Sequence, residues 1–237
     1  MNRKCSRVSY KKELKNAYQE LKRAYQEVRD SYSDMIFRFA LTAEYKDDTT
    51  GTHLVRIADY CTAIAEELGL SKKEVDNLRY ASLMHDIGKL LISDEILKKK
   101  TGLTPDEMNT IKKHTTMGAD IFKGSRSPIL QDAQTVIATH HEKYDGTGYP
   151  RGLKGKDIPL LGRIVALADV FDTLTSERPY KKAFGFDKAT DMIKRQSGKH
   201  FDPAVVNAFL RTKDKIRKLW KATQDIHHFI EQQKEVP

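Results

Sequence analysis

THLVRIADYCTAIAEELGL, residues 52–70, decides the fold class. Leu54, Ile57, Ala58, Cys61, Ile64, Ala65 and Leu68 recur at spacings of three and four, which places them on one face of an amphipathic helix. Gly69 follows the last apolar position and ends that helix. Ser71 starts the next one, with Glu74 three residues on as a capping box. That helix carries Leu78, Ala81, Leu83 and Met84 into HDIGK (85–89). Thr104–Pro105 with Glu107 starts another, predicted to run through His114 to Ala119. Further helices are expected over Asp132–His141, Leu161–Thr175, Asp187–Gln196 and Pro203–Trp220. No sustained two-residue alternation appears, so the fold is read as all-α.

Upstream of this series the chain repeats itself. AYQE stands at 17–20 and again at 24–27, one heptad apart. Leu14, Leu21, Val28 and Met35 recur every seven residues, as do Tyr18, Tyr25, Tyr32 and Phe39. Such 4–3 spacing is the seam of a coiled coil. The expectation is a long N-terminal helix over 1–40 that pairs with a second copy, or else lies on its own domain. A catalytic domain over 41–210 and a basic helical extension over 211–237 complete the expected organisation.

The charge is +9, from 42 Lys and Arg against 33 Asp and Glu. Such basicity points toward nucleic acid, but its distribution argues otherwise. Residues 1–40 hold 10 basic and 5 acidic side chains, and 211–237 hold 7 and 4, which leaves the middle with 25 and 24. No nucleic-acid polymer is therefore expected as partner. No apolar run approaches the roughly 20 residues of a membrane span. The basic N-terminus has no apolar stretch behind it, so no signal peptide is expected. Two cysteines, Cys5 and Cys61, make no disulfide framework, and a reducing cytoplasm is expected.

The chemistry gathers at helix ends. His85–Asp86 closes YASLMHDIGK (80–89), His140–His141 closes TVIATHH (135–141), and His114 lies in MNTIKKHTTMGAD (108–120). A helix end that passes from apolar residues into paired ligands delivers both from one rigid element. Asp169 is an acid within the otherwise apolar RIVALADVFD (163–172), and a buried carboxylate needs a cation or hydrogen bonds. Mixed His and Asp ligation without thiolates suits iron, manganese or another hydrolytic divalent metal rather than structural zinc. Asp172, three residues after Asp169, is placed to orient a metal-bound water or a histidine.

HDIGK (85–89), HHEKYDGTGYPRGL (140–153), Ile158–Pro159, RIVALADVFD (163–172), RPYK (178–181) and GKHFDP (198–203) together resemble the HD-GYP branch of the HD phosphohydrolases. The resemblance covers about 41–210. It implies a helical HD-type bundle that hydrolyses cyclic di-GMP at a bi- or trinuclear iron or manganese centre. It places Asp86 as the bridging carboxylate. His53, His85 and Asp169 would complete one metal, and His114, His140 and His141 the other. His53 has no signal of its own, since TTGTH (49–53) reads as a helix start capped by Thr52. In such a centre two cations about 3.5–4 Å apart lower the pKa of a bridging water, which attacks phosphorus in line. Lys89, Arg178 and Lys181 are expected to hold the phosphates, the arginine by a bidentate fork. Tyr149, in a loop shaped by Gly146, Gly148, Pro150 and Gly152, would stack on guanine or bond a phosphate. The resemblance also links this loop to GGDEF-type partners.

Three-metal members of that family carry an acid four positions before the histidine that is His53 here, where this chain has Thr49. Two metals are therefore expected, with linear pGpG as the main product, unless Asp48 or Glu44 substitutes. Two other readings stay open: a regulatory module that binds cyclic di-GMP without efficient turnover, and an HD hydrolase for another nucleotide.

Overall fold

The computed structural model describes residues 2–46, 51–177 and 182–222, with side chains from Tyr10 onward. Among them the regular elements are helical, with α1 (Asn2–Lys46), α2 (Thr52–Glu67), α3 (Lys72–Leu83), α4 (Asp94–Leu97), α5 (Pro105–Lys112), α6 (His114–Ile121), α7 (Pro128–Thr139), α8 (Leu160–Thr175), α9 (Phe186–Arg195), α10 (Pro203–Arg211) and a further helical stretch over 213–222. Short 3-10 segments cover Ile87–Leu91 and Gly155–Asp157. The all-α reading holds.

The chain forms two compact units, Met1–Arg38 and Phe39–Pro237. In the first, Leu14, Tyr18, Leu21, Tyr25, Val28 and Met35 are each about two-thirds exposed. In the second, α2 packs on α3, α8 and α10, α7 packs on α3, α6 and α8, and α9 closes against α8.

Local chemistry explains the boundaries. Ser71 and Glu74 make the expected reciprocal cap of α3, and Thr104 and Glu107 make that of α5. α7 begins four residues before the expected Asp132, because Ser127–Pro128 supplies an extended residue followed by proline at the first helical position. Two expectations need correction. The helix from Thr104 to Ala119 is two helices, with Lys113 between them, so His114 opens α6 rather than sitting mid-helix. The helix expected over Pro203–Trp220 breaks at Thr212, with residues 213–222 helical beyond it.

Phe171 anchors the core. Its ring meets Tyr60, Phe186 and Phe209 edge-on at centroid distances of 5.4, 5.4 and 5.0 Å. With that face of α8 buried, Asp169 and Asp172 on either side of Phe171 in sequence are turned toward α2 and the site.

Glycine lets the 87–91 segment come close to α6. A Cβ on Gly88 would lie 1.9 Å from the His114 carbonyl oxygen, and one on Gly118 would lie 2.9 Å from the Gly88 Cα. Only a backbone-on-backbone contact of this kind brings Asp86 within reach of the histidines of α6 and α7. Lys46, at the end of α1, donates to the carbonyls of Leu90 and Ile92 at 2.8 and 2.5 Å and pins the same segment from outside.

Candidate metal centre

Four histidines are oriented by their own backbone or by a carboxylate. His85 Nδ1 donates to the Ser82 carbonyl at 2.9 Å, and His114 Nδ1 to Ile111 at 2.8 Å. His140 Nδ1 meets the carbonyls of Val136 and Ile137 at 3.2 and 3.1 Å. His53 Nδ1 lies 2.6 Å from Asp172 Oδ2. A carbonyl oxygen can only accept, so Nδ1 carries the hydrogen in these rings and Nε2 presents a lone pair. This outer bonding fixes both tautomer and ring plane, as in histidines that hold metals.

The Nε2 atoms converge on carboxylates. His114 and His140 place theirs 3.3 and 3.7 Å from Asp86 Oδ1, and His85 places its own 3.4 Å from Asp86 Oδ2. His53 Nε2 lies 3.9 Å from Asp169 Oδ1. Nε2 of His85, His114 and His140, together with Asp86 Oδ1, are buried without a hydrogen-bond partner. Lone pairs facing a carboxylate in a buried site suit a cation between them. The seven residues expected as ligands fall into two groups: Asp86 with His114, His140 and His141, and His53 with His85 and Asp169. Within each group the ligand atoms lie within 4.8 Å of one another. The C-terminal ends of α3 and α7, where His85 and His140 stand, add the negative pole of two helix dipoles.

The electrostatics agree with a cation-seeking pocket. Burial works against charge on His85, but Asp86 and Asp169 draw its pKa up to about 9, so a proton occupies Nε2 where no metal ion does. Burial and the neighbouring His140 push His141 well below the usual imidazole value. Burial would raise Asp86, but Lys89 and His85 hold it well below the carboxylate range.

Asp172 is fully buried and does not line the cleft. Arg56 donates to it from Nε at 2.5 Å and from its terminal nitrogen at 2.9 Å, and that nitrogen also donates to Ser176 at 2.9 Å. Burial would raise the Asp172 pKa, but Arg56 and His53 hold it down to about 2. Of the two roles expected for Asp172, the geometry shows the contact with a histidine, His53. Nothing in the sequence around Arg56 marks it, because its partner lies 116 residues away.

The cleft beside the two groups measures about 310 Å³ and is lined by Glu44, Lys89, Lys143, Tyr149, Thr173 and His200 as well as by His53, His140, His141, Asp86 and Asp169. Lys89 Nζ lies 2.8 Å from Asp86 Oδ2. Tyr149 stacks on His141, with centroids 4.8 Å apart and planes at 29°, and Lys112 stands 5.3 Å above the same ring. The loop carrying Tyr149 is clamped by buried Glu142, which accepts from the backbone N–H groups of Arg151 and Leu153 at 2.8 and 3.0 Å. Gly146 and Gly152 take positive φ values of 88° and 66°. Gly148 is needed for space instead, since a Cβ there would lie 2.2 Å from Lys143 N. Glu44 is buried in the cleft, where its charge acts on His53 and His85. Arg178, Lys181, Asp48 and Thr49 lie outside the described residues.

Known proteins resemble this chain in sequence and fold. The family model described as HD domain matches residues 37–205. The chain belongs to the HD domain family. Its HDIGK and HHEKYDGTGYP segments make it an HD-GYP member of that family. It is 41% identical over 223 residues to a cyclic di-GMP phosphodiesterase of Thermotoga maritima, covering 92% of this chain and 61% of that protein. It is 42% identical over 186 residues to the cyclic di-GMP phosphodiesterase response regulator RpfG of Xanthomonas campestris, covering 78% and 49%. The crystal structure of a cyclic GMP-AMP specific phosphodiesterase of Vibrio cholerae superimposes with a TM-score of 0.59 at 20% identity, covering 82% and 53%, which shows the shared fold. The HD chain thus spans about half the length of the curated relatives it matches.

Proposed function

We propose that this chain is a metal-dependent phosphodiesterase that opens cyclic di-GMP to the linear dinucleotide pGpG. The carrying observation is the set of inward Nε2 lone pairs of His85, His114 and His140, buried and unpartnered around Asp86. The names of the relatives at 41% and 42% identity support the substrate. Iron and manganese suit the His and Asp donors best, and a bacterial cytoplasm supplies both the substrate and the reducing conditions.

Two divalent cations held by the two groups would supply Lewis acidity toward the phosphate oxygens and an activated water for in-line displacement. The protein's own part is positional. Backbone carbonyls hold the imidazoles, and Asp172 with Arg56 holds His53. Lys89 meets the negative charge of the scissile phosphate from its place beside Asp86. Arg178 and Lys181 hold the phosphates from the RPYK segment.

The heptad face of α1 serves a parallel homodimer. Leu14, Leu21, Val28 and Met35 with Tyr18 and Tyr25 keep 4–3 spacing and are exposed, and a second copy offers the same seam in register.

Glu44 favours a second reading of the product. A buried carboxylate beside His53 and His85 is a further oxygen donor, and a third cation there would carry the reaction on to GMP. Chromatography of products after anaerobic reconstitution with iron or manganese tests the choice. Accumulation of pGpG is expected, and rapid stoichiometric GMP would favour the three-metal reading.

A further inference from the structure

Two polar side chains at the cleft have no assigned task. The backbone of the loop after His141 pairs with the GKHFDP segment: Tyr144 N–H donates to the His200 carbonyl at 3.1 Å, and Asp145 N–H to the Lys199 carbonyl at 2.8 Å. This pairing sets Lys143 and His200 on neighbouring strands of chain, and both line the cleft beside His140, His141, Tyr149 and Asp169. Among the described residues neither the Lys143 ammonium nor a ring nitrogen of His200 makes a hydrogen bond or ion pair. The His200 ring is nonetheless fixed, stacked on buried Phe201 at 4.3 Å with planes 8° apart. Asp202 anchors the same segment by accepting from Arg163 and from Ala204 N at 2.7 Å. A stacked ring and an ammonium with no hydrogen bond or ion pair among the described residues, the charge of Asp145 acting on both, make a polar edge on a wall of the cleft.

We propose that Lys143 and His200 form a base-reading subsite for the O6/N7 edge of one guanine of the dinucleotide; the inference rests on the phosphodiesterase reading above. The phosphates are already met by the cation groups and by Lys89, which leaves the bases to be recognised. Guanine presents two acceptors on that edge, N7 and O6, whereas adenine replaces O6 by an amino donor. The ammonium and an imidazole N–H are both donors. Together they pair with guanine and place donor against donor with adenine. Burial, and then the charge of Lys143, lowers the His200 pKa to about 4, so at neutral pH the ring is an uncharged N–H donor.

The test uses the metal-loaded full chain, with affinity and kcat/KM measured on cyclic di-GMP and cyclic di-AMP for the wild type, K143M, H200A and H200Q. The wild type is expected to prefer cyclic di-GMP. K143M and H200A should weaken affinity and kcat/KM for it by roughly 10–100-fold while changing those for cyclic di-AMP less than about 3-fold. H200Q, whose amide can donate to guanine but can also accept from the adenine amino group, should keep affinity for cyclic di-GMP while narrowing the preference, and metal content should stay at the wild-type value. An equal fall on both dinucleotides would mean a phosphate contact and overturn the subsite, as would no change at all or a wild type without guanine preference. A wild type that binds cyclic di-GMP selectively without hydrolysing it would sink the phosphodiesterase reading and leave the subsite to stand on the binding ratio.

Discussion

Asp172 Oδ2 lies 2.6 Å from His53 Nδ1, so a fully buried carboxylate on α8 holds the single histidine of α2 with its Nε2 turned toward Asp169. D172N keeps the shape but removes the charge that fixes the Nδ1–H tautomer. It should lose metal from the His53, His85 and Asp169 group before the other, and activity should fall roughly 10–100-fold. Metal per chain by mass spectrometry, beside turnover, checks it; full metal content with unchanged turnover would contradict the role.

The same carboxylate sets an acid limb of stability. Asp172 takes up its proton at about 2 when folded and near the ordinary 3.8 when unfolded. Its contribution, on the order of 2 kcal/mol, is present above pH 4 and lost as pH falls through about 2. His200 acts in the same direction at higher pH. Its folded value of about 4 lies below the ordinary 6.5, so the unfolded chain binds more protons in that window and stability falls as pH drops from 6.5 toward 4. Denaturation across pH should show a shallower slope between 6.5 and 4 in H200Q and a lost low-pH limb in D172N.

Arg56 is the partner that keeps Asp172 ionised. R56M leaves a buried charge uncompensated and should cost about 3–5 kcal/mol. R56M combined with D172L should recover part of that loss, which chemical denaturation of the single and double variants will measure.

Gly88 tests how the two ligand groups are brought together. G88A drives a methyl group into the His114 carbonyl and the backbone at Gly118. The 87–91 segment must retreat, carrying Asp86 away from α6. The variant should keep its helical circular dichroism, lose metal, and melt earlier by an amount equivalent to about 1–3 kcal/mol.

The heptad seam predicts self-association. Leu14→Lys with Leu21→Lys places like charges at two core positions, and sedimentation should shift from dimer to monomer without loss of helicity. A wild type that sediments as a monomer at all concentrations would remove the dimer.

Local rules made much of this structure legible. The period of 52–70, the capping boxes at Ser71 and Thr104, and the His-rich helix ends are all short-range signals, and each sits where its chemistry is needed. The break at Lys113 was hidden because two short helices share one amphipathic period across it. Arg56 and Asp172 meet across 116 residues, and Glu142 acts on backbone N–H groups nine and eleven residues on. No window of sequence carries such pairings. Glu44 enters the sequence reading only as a stand-in for an acid at position 49, and only the fold shows it buried in the cleft.

Metal titration of cyclic di-GMP turnover tests the central claim most directly. The full chain, stripped by chelator and titrated anaerobically with iron or manganese, should be inactive without metal. Turnover to pGpG should rise to a plateau at two ions per chain. A chain that binds two ions per chain and leaves cyclic di-GMP intact would contradict the account.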